Sequence, residues 1–314
     1  MGTTYMVKLT DADLSHEQLV SLQQQVQDLL DGLNAALSTY IPESEISRLN
    51  STRSTEAYPV SPMLAGITEF ALDLSRRTGG AFDPTVGPLV GLWGFGSEAR
   101  ETPPTSEELA SIATSIGYEK LHVLPAPALR KDSAELQLDL SAIAKGYAVD
   151  EMANLLRAGG FTNYYVDIGG DGMAGGVSPR HQPWRIGIEV PAYGAAPGAN
   201  LHTTVPLADQ AIATSGDYRQ FRRDEDGAVR AHIIDPRTHR PAEHALASVT
   251  VVANSCMAAD AMATALYVLG PEAGMALVEE SPATEALFIE RDGDNSFRTM
   301  SSSGFPVASE PATP

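Results

Sequence analysis

Cysteine is almost absent: Cys256 is the only one in 314 residues, so no disulfide can close within the chain, and redox compartment is left open. Long apolar runs are missing too, and no stretch has the length of a membrane-spanning helix. Cations are scarce. Lysine and arginine number 21 against 40 acids, a net charge of −19. General nucleic-acid binding needs a basic face and is excluded. Any phosphorylated ligand must be met locally, by a few cations, backbone amides or a metal. The dinucleotide fingerprint is lacking as well: GGDG at residues 169–172 does not have the GxGxxG spacing, and no helix pattern follows it. No export signal is visible where Met1 runs into TYMVKLT. A cytosolic chain and one that begins after a removed export segment are both open.

What is there is an ordinary globular composition, 43% hydrophobic and 19% charged, long enough for one large domain or two small ones. The opening residues read as a strand. Residues 15–37 carry Leu19, Leu22, Val26, Leu29, Leu30 and Leu33 close to helical spacing. Helices are expected over 62–78, stopped by Gly79-Gly80, and over 103–116, opened by Thr105 with Glu108 three residues on. Residues 81–96 mix glycine, proline and large apolar groups; a wall against a flat ligand and a buried irregular loop are equally open. Strands are expected at 121–124, 135–140, in TNYYVDI before its glycine-rich turn, in WRIGIEVP, in QAIATSG and in SVTVVANS. Residues 193–200 read as an exposed loop. Asp226-Gly227 signals a hairpin, HIIDPRTHRP a proline-bounded loop, and residues 292–295 a closing turn. Helices follow from about Met257 and in PEAGMALVEE. The expected class is α+β, a single large mixed domain over 1–300 with antiparallel strand runs and packed helices, then a disordered tail at 301–314.

One stretch of the chain, residues 136–160, organises the reading. LQLDL alternates like a strand and stops at Ser141, a good N-cap, and a helix then runs to Gly159-Gly160. Lys145 is out of place there, because a cation in a first turn opposes the helix dipole. Either it is a surface lysine paired with Asp139, or the helix start is an anion site with its own ammonium. Asp260 and Thr264 stand four residues apart on an expected helix and share a face. Hard oxygen donors in that arrangement suit Mg²⁺; the other reading is a dipole-favoured acid beside a threonine bonded back to its helix. His232, at a strand end, is a candidate general base or a structural histidine. Thr214, Ser215 and Asp217 form a polar turn, for phosphate or ribose or for the turn alone. Cys256 has no activating base near it in sequence.

The blocks MGTTY at Met1, SEISRLN at Ser44, GGAFDPTVGPLVGLWGFG at Gly79, LDLSAIAKGYAVD at Leu138, YYVDIGGD at Tyr164, ATSGDY at Ala213, HIIDPRT at His232 and ADAMATA at Ala259 together resemble the ApbE family of FAD:protein FMN transferases. They follow the family's order and span most of the chain. The resemblance implies an enzyme that binds FAD and Mg²⁺ and moves FMN to a Thr or Ser hydroxyl of a target protein, leaving a phosphoester-linked flavin and AMP. Implied targets are flavin-bearing subunits of membrane electron-transport complexes. An FAD pyrophosphatase and a non-catalytic FAD-binding protein are the alternatives. By position, Met1, Tyr40, Ala81, Phe82, Asp83, Asp139, Lys145 and Ile234 would line the FAD site. Ala142, through its carbonyl, with Asp260 and Thr264 would hold the metal, and His232 would act near the acceptor hydroxyl. His239 departs from the family's usual glycine after DPRT and puts that loop's shape in question. The family is usually exported and often lipid-anchored, so the periplasm is the expected location, with the cytoplasm as alternative.

Overall fold

The computed structural model describes residues 2–10, 12–96, 100, 102–196, 198–219, 221–223, 229–293 and 296–306. The chain opens with β1 (Tyr5–Leu9) and α1 (His16–Leu37), followed by α2 (Glu45–Ser51), β2 (Tyr58–Pro59), α3 (Pro62–Arg77), α4 (Gly87–Leu92), α5 (Ser106–Ala113), β3 (Leu121–Leu124) and β4 (Ala128–Lys131). Then come α6 (Ala144–Ala158), β5 (Tyr164–Ile168), β6 (Asp171–Gly175), β7 (Trp184–Glu189), β8 (Leu201–Leu207) and β9 (Ala211–Gly216). The short strands β10 (Phe221–Arg223), β11 (Val229–Ala231), β12 (Ile234–Asp235) and β13 (Arg240–Pro241) precede β14 (Leu246–Ala253), α7 (Cys256–Leu269), α8 (Pro271–Glu279), β15 (Glu285–Arg291) and β16 (Phe297–Ser301). The mixed α+β class holds. Contacts group the chain into two compact units, one of Met1–Asp31, Ile143–Arg219 and His244–Pro314, the other of Gly32–Ala142 and Gln220–Glu243.

The first unit is built on a seven-stranded sheet of order β1-β5-β6-β9-β14-β15-β16, antiparallel throughout. All eight residues of β14 are buried, so both faces of the sheet's centre are covered. Tyr165, Ala174, Ile212, Val252, Leu287 and Ile289 meet Trp184, Ile188, Val205 and Leu207 of the β7–β8 hairpin. Helices α6, α7 and α8 pack against the sheet as well, and the alternation of side chains puts Asp171 and Ser215 on a different face from Ile212. The expected disordered tail does not hold for its first six residues. Ser301 pairs with Leu287 in β16, the Ser302 N–H donates to Ala286 O (2.9 Å), and Phe305 is buried in the hairpin-side core. Residues 307–314 lie outside the described residues, as do Asp226-Gly227 and part of the expected closing turn.

The second unit has a core of Leu89, Trp93, Leu109, Ile116 and Ile234, and a small sheet of order β2-β4-β3. Helix α5 starts in a full capping box, the Thr105 hydroxyl accepting from Glu108 N and the Glu108 carboxylate from Thr105 N. The strand expected over 135–140 is absent. Its backbone bonds go elsewhere: the amide of Leu138 donates to Asn50 Oδ1 (2.7 Å), its carbonyl accepts from Asn50 Nδ2 (2.8 Å), and the amide of Asp139 donates to Pro84 O (2.7 Å). Alternating apolarity there reflects burial of Leu136, Leu138 and Leu140 without a ladder. Residues 81–96 contain the short helix α4, and HIIDPRTHRP folds as the β12–β13 hairpin rather than an open loop.

Candidate active site

Ser141 does not cap α6. The helix begins at Ala144, after Ile143, with no side-chain cap. What meets its first turn is a carboxylate from another helix. The Gly146 amide donates to Asp260 Oδ2 at 2.9 Å. The gesture is returned, because Asp150 of α6 accepts from the first amides of α7, Cys256 N (2.7 Å) and Met257 N (2.9 Å). Each helix thus places an acid on the positive end of the other. Gly146 is required at the crossing, since a Cβ there would lie 2.2 Å from Cys256 O and 2.8 Å from Asp260 Cβ.

Lys145 therefore emerges beside Asp260 and not beside Asp139. Its Nζ donates to Asp260 Oδ1 (3.0 Å) and to Asp171 Oδ2 (2.5 Å), and its side chain is a third exposed while both acids are buried. Burial alone would lower the lysine's pKa, but attraction by Asp260 and Asp171 outweighs it and holds the ammonium charged. The Asp171 carboxyl is raised, by burial first and by repulsion from Asp260 second. Its other oxygen accepts from Thr214 N at 3.3 Å. Thr264 stands one turn after Asp260 on α7, its hydroxyl 3.2 Å from Ser215 Oγ. The residues fit a small divalent cation: a carboxylate and a hydroxyl are adjacent hard donors, and two acids share a single ammonium.

Asp171 was not legible as part of this site. Its only sequence signal is an acid inside the glycine-rich GGDG, where Asp171 opens β6 opposite Ile168. The supposed polar turn of Thr214, Ser215 and Asp217 is divided. Thr214 and Ser215 lie within β9, whereas Asp217 accepts from Arg291 Nη2 (2.5 Å) and the Tyr193 hydroxyl (2.6 Å). Cys256 is fully buried and its thiol is pushed well up by burial, which rules it out as a ready nucleophile.

The remaining residues belong to the second unit. Ala81 and Phe82 are buried. Asp83 spends its carboxylate on Thr85 N (2.7 Å), the Thr85 hydroxyl (2.6 Å) and Tyr118 N (3.0 Å), and burial raises its pKa. Asp139 turns its carboxylate onto Ser141 N (2.8 Å) and lies so close to Gly87 that a Cβ there would come within 2.9 Å of it. Ile234 is in the core, Tyr40 is 69% exposed, and the His232 ring meets Phe95 edge-on at 6.4 Å. Ala142 is the last residue of its segment of this unit. Met1 lies outside the described residues. The loop question raised by His239 is answered: it holds φ 61°, the left-handed conformation glycine takes freely, and its carbonyl accepts from Trp93 Nε1 (3.0 Å). Asp235 pins the same loop through Arg237 Nε and Nη2, both at 2.9 Å.

An ammonium at a helix start, two carboxylates and two hydroxyls are thus brought together in the first unit. Comparison with known proteins narrows the class: the chain belongs to the ApbE family, which it matches over residues 1–288. It is similar to the FAD:protein FMN transferase of Vibrio cholerae serotype O1 (strain ATCC 39541 / Classical Ogawa 395 / O395), with 41% identity over 307 residues, 97% of this chain and 89% of that protein. The FAD:protein FMN transferase of Escherichia coli (strain K12) is 36% identical over 309 residues, 97% and 86% of the two chains. Among solved structures, the flavin transferase ApbE from Vibrio cholerae superposes with a TM-score of 0.86 at 42% identity, covering 97% of this chain and 95% of that one. The apo flavinyl transferase ApbE of Pseudomonas stutzeri gives 0.84 at 37%, covering 96% and 92%.

Proposed function

We propose that this chain transfers the FMN moiety of FAD to a Thr or Ser hydroxyl of a target protein, with Mg²⁺, forming a phosphoester-linked flavin and releasing AMP. The coarse part, flavin transfer from FAD to a protein, rests on near-full-length relatives that carry that activity in their names. The finer part rests on the Lys145–Asp171–Asp260 cluster at the start of α6.

The acceptor oxygen attacks the FMN phosphorus, the bond from that phosphorus to the bridging oxygen breaks, and AMP departs with that oxygen. Such a displacement needs neutralised phosphates and an aligned nucleophile. Lys145 supplies positive charge held in place by two acids, and the first amides of α6 add to it. That reconciles dianion binding with a net charge of −19. Mg²⁺ on Asp260, Thr264 and the Ala142 carbonyl would supply Lewis-acid stabilisation when bound. His232 takes the acceptor proton. Met1, Tyr40, Ala81, Phe82, Asp83, Asp139 and Ile234 line the flavin and adenosine portions of FAD. The acceptor is a flavin-bearing subunit of a membrane electron-transport complex, and the location is the periplasm; fractionation of native cells tests the latter.

The deciding experiment is mass spectrometry of a protein bearing a Ser/Thr flavinylation motif after incubation with this chain, FAD and Mg²⁺. A mass gain of one FMN phosphoester, abolished by EDTA, is the expected result. Free FMN and AMP without that gain would make the protein a pyrophosphatase, and intact FAD would make it a binding protein.

A further inference from the structure

We infer that Lys145 is a resident cation that keeps the metal position at Asp260 filled until a divalent ion displaces it, and that Asp171 is the positioning residue that makes the exchange possible. The inference rests on the reading of Asp260 as a metal ligand. The geometry gives the two Asp260 oxygens different duties. Oδ2 is fixed by the Gly146 amide at 2.9 Å, part of the backbone crossing of α6 and α7. Among the described residues Oδ1 is held by Lys145, at 3.0 Å, and faces a side chain that is a third exposed. Oδ1 is therefore the oxygen that can change partner without moving a helix.

A lysine driven off one buried acid would ordinarily be left as an unpaired charge, which is costly. Here it is not, because Asp171 holds the same ammonium at 2.5 Å, the shorter of the two contacts, and is itself anchored by Thr214 N. When a dication takes Oδ1, Lys145 retains Asp171 and its ammonium is released from Asp260 toward the exposed side. An ammonium, unlike a guanidinium, is a point charge that can swing between partners without losing a bidentate geometry. Filling of the metal position and release of the lysine for an anionic ligand are thereby one event, and the two ligands favour each other's binding.

The test is direct binding of Mn²⁺ alone, followed by electron paramagnetic resonance of the free ion, to the full chain without FAD. Lys145→Met is expected to bind Mn²⁺ about tenfold more tightly, and Asp171→Asn about tenfold more weakly, the size of effect that groups behind a metal ligand produce. Unchanged or weaker binding by Lys145→Met overturns the inference. Crystals of the unaltered protein with and without Mn²⁺ decide the matter independently of how the variants fold. With Mn²⁺ on Asp260, Nζ should leave hydrogen-bond distance of Oδ1 and keep Asp171; a lysine still on Oδ1 overturns the inference. Flavin transfer without lysine displacement would sink this inference and leave the function standing, whereas displacement without transfer to any acceptor would do the reverse.

Discussion

Two acid–cation clusters lie in the first unit, both touched by β9 and its end, and they are put together on opposite principles. At Asp217 the charges balance. One acid meets one guanidinium, Arg291 also donates to Pro191 O (2.9 Å), and its guanidinium carbon stands 3.9 Å over the Tyr193 ring. Every partner is planar and pinned, and the loop after β7 is tied down by it. At Asp171 and Asp260 two acids share one cation, a lysine whose side chain is a third exposed. In the balanced cluster the buried Arg291 Nε is left without a hydrogen-bond partner among the described residues. The other sets two acids around a single lysine, the arrangement on which the proposed metal and phosphate sites rest. On the proposed function, an excess of acids in a buried, well-bonded cluster is what separates a ligand site from a brace.

That contrast can be broken by substitution. Asp260→Ala should lower flavin transfer roughly a thousandfold, since it removes the charge that would hold the metal, with melting temperature measured alongside to show that the fold persists; an active variant would dissolve the distinction. Gly146→Ala strikes the crossing that aims Asp260. The added methyl meets backbone, so a loss of about 3 kcal/mol in urea unfolding is expected together with lost activity. Arg291→Met should cost about 2–3 kcal/mol by leaving Asp217 without its cation, while turnover per folded molecule stays within a few-fold; a large loss of turnover would give the brace a part in catalysis. The smallest effect is a titration. Burial, then the hydrogen bond to Asp217, pushes the Tyr193 hydroxyl up to about 12, against about 10 for an unfolded tyrosine. In that window the folded chain binds more protons, so this contribution to stability is complete below about pH 10 and fades as pH rises toward 12. Tyr193→Phe should flatten the alkaline fall in urea midpoint.

The elements that local chemistry sets were readable in the sequence: α5 from Thr105 and Glu108, α1 from its leucines, and the oddness of Lys145 from the helix dipole. What could not be read depended on distance along the chain. Asp171 is 26 residues from Lys145, and Arg291 is 74 from Asp217. Nothing in a local pattern announces such partners. The false strand at 135–140 came from apolar alternation whose backbone bonds are taken by Asn50 and Pro84, and the false cap at Ser141 followed from it. His239 was legible as a departure but not as a tolerated one, because only the backbone shows that it adopts the glycine conformation.

The mutual acid caps of α6 and α7 carry a consequence for how the family can vary. Gly146 and Asp150 are four residues apart, and so are Cys256 and Asp260; two single turns are closed into a ring by amide-to-carboxylate bonds at both ends. A residue inserted into or removed from either turn would rotate one acid by about 100° away from its amide. Spacing is therefore constrained as strictly as residue identity, and the ten positions 146–150 and 256–260 are where a change in length should be least tolerated, even where a change in side chain is.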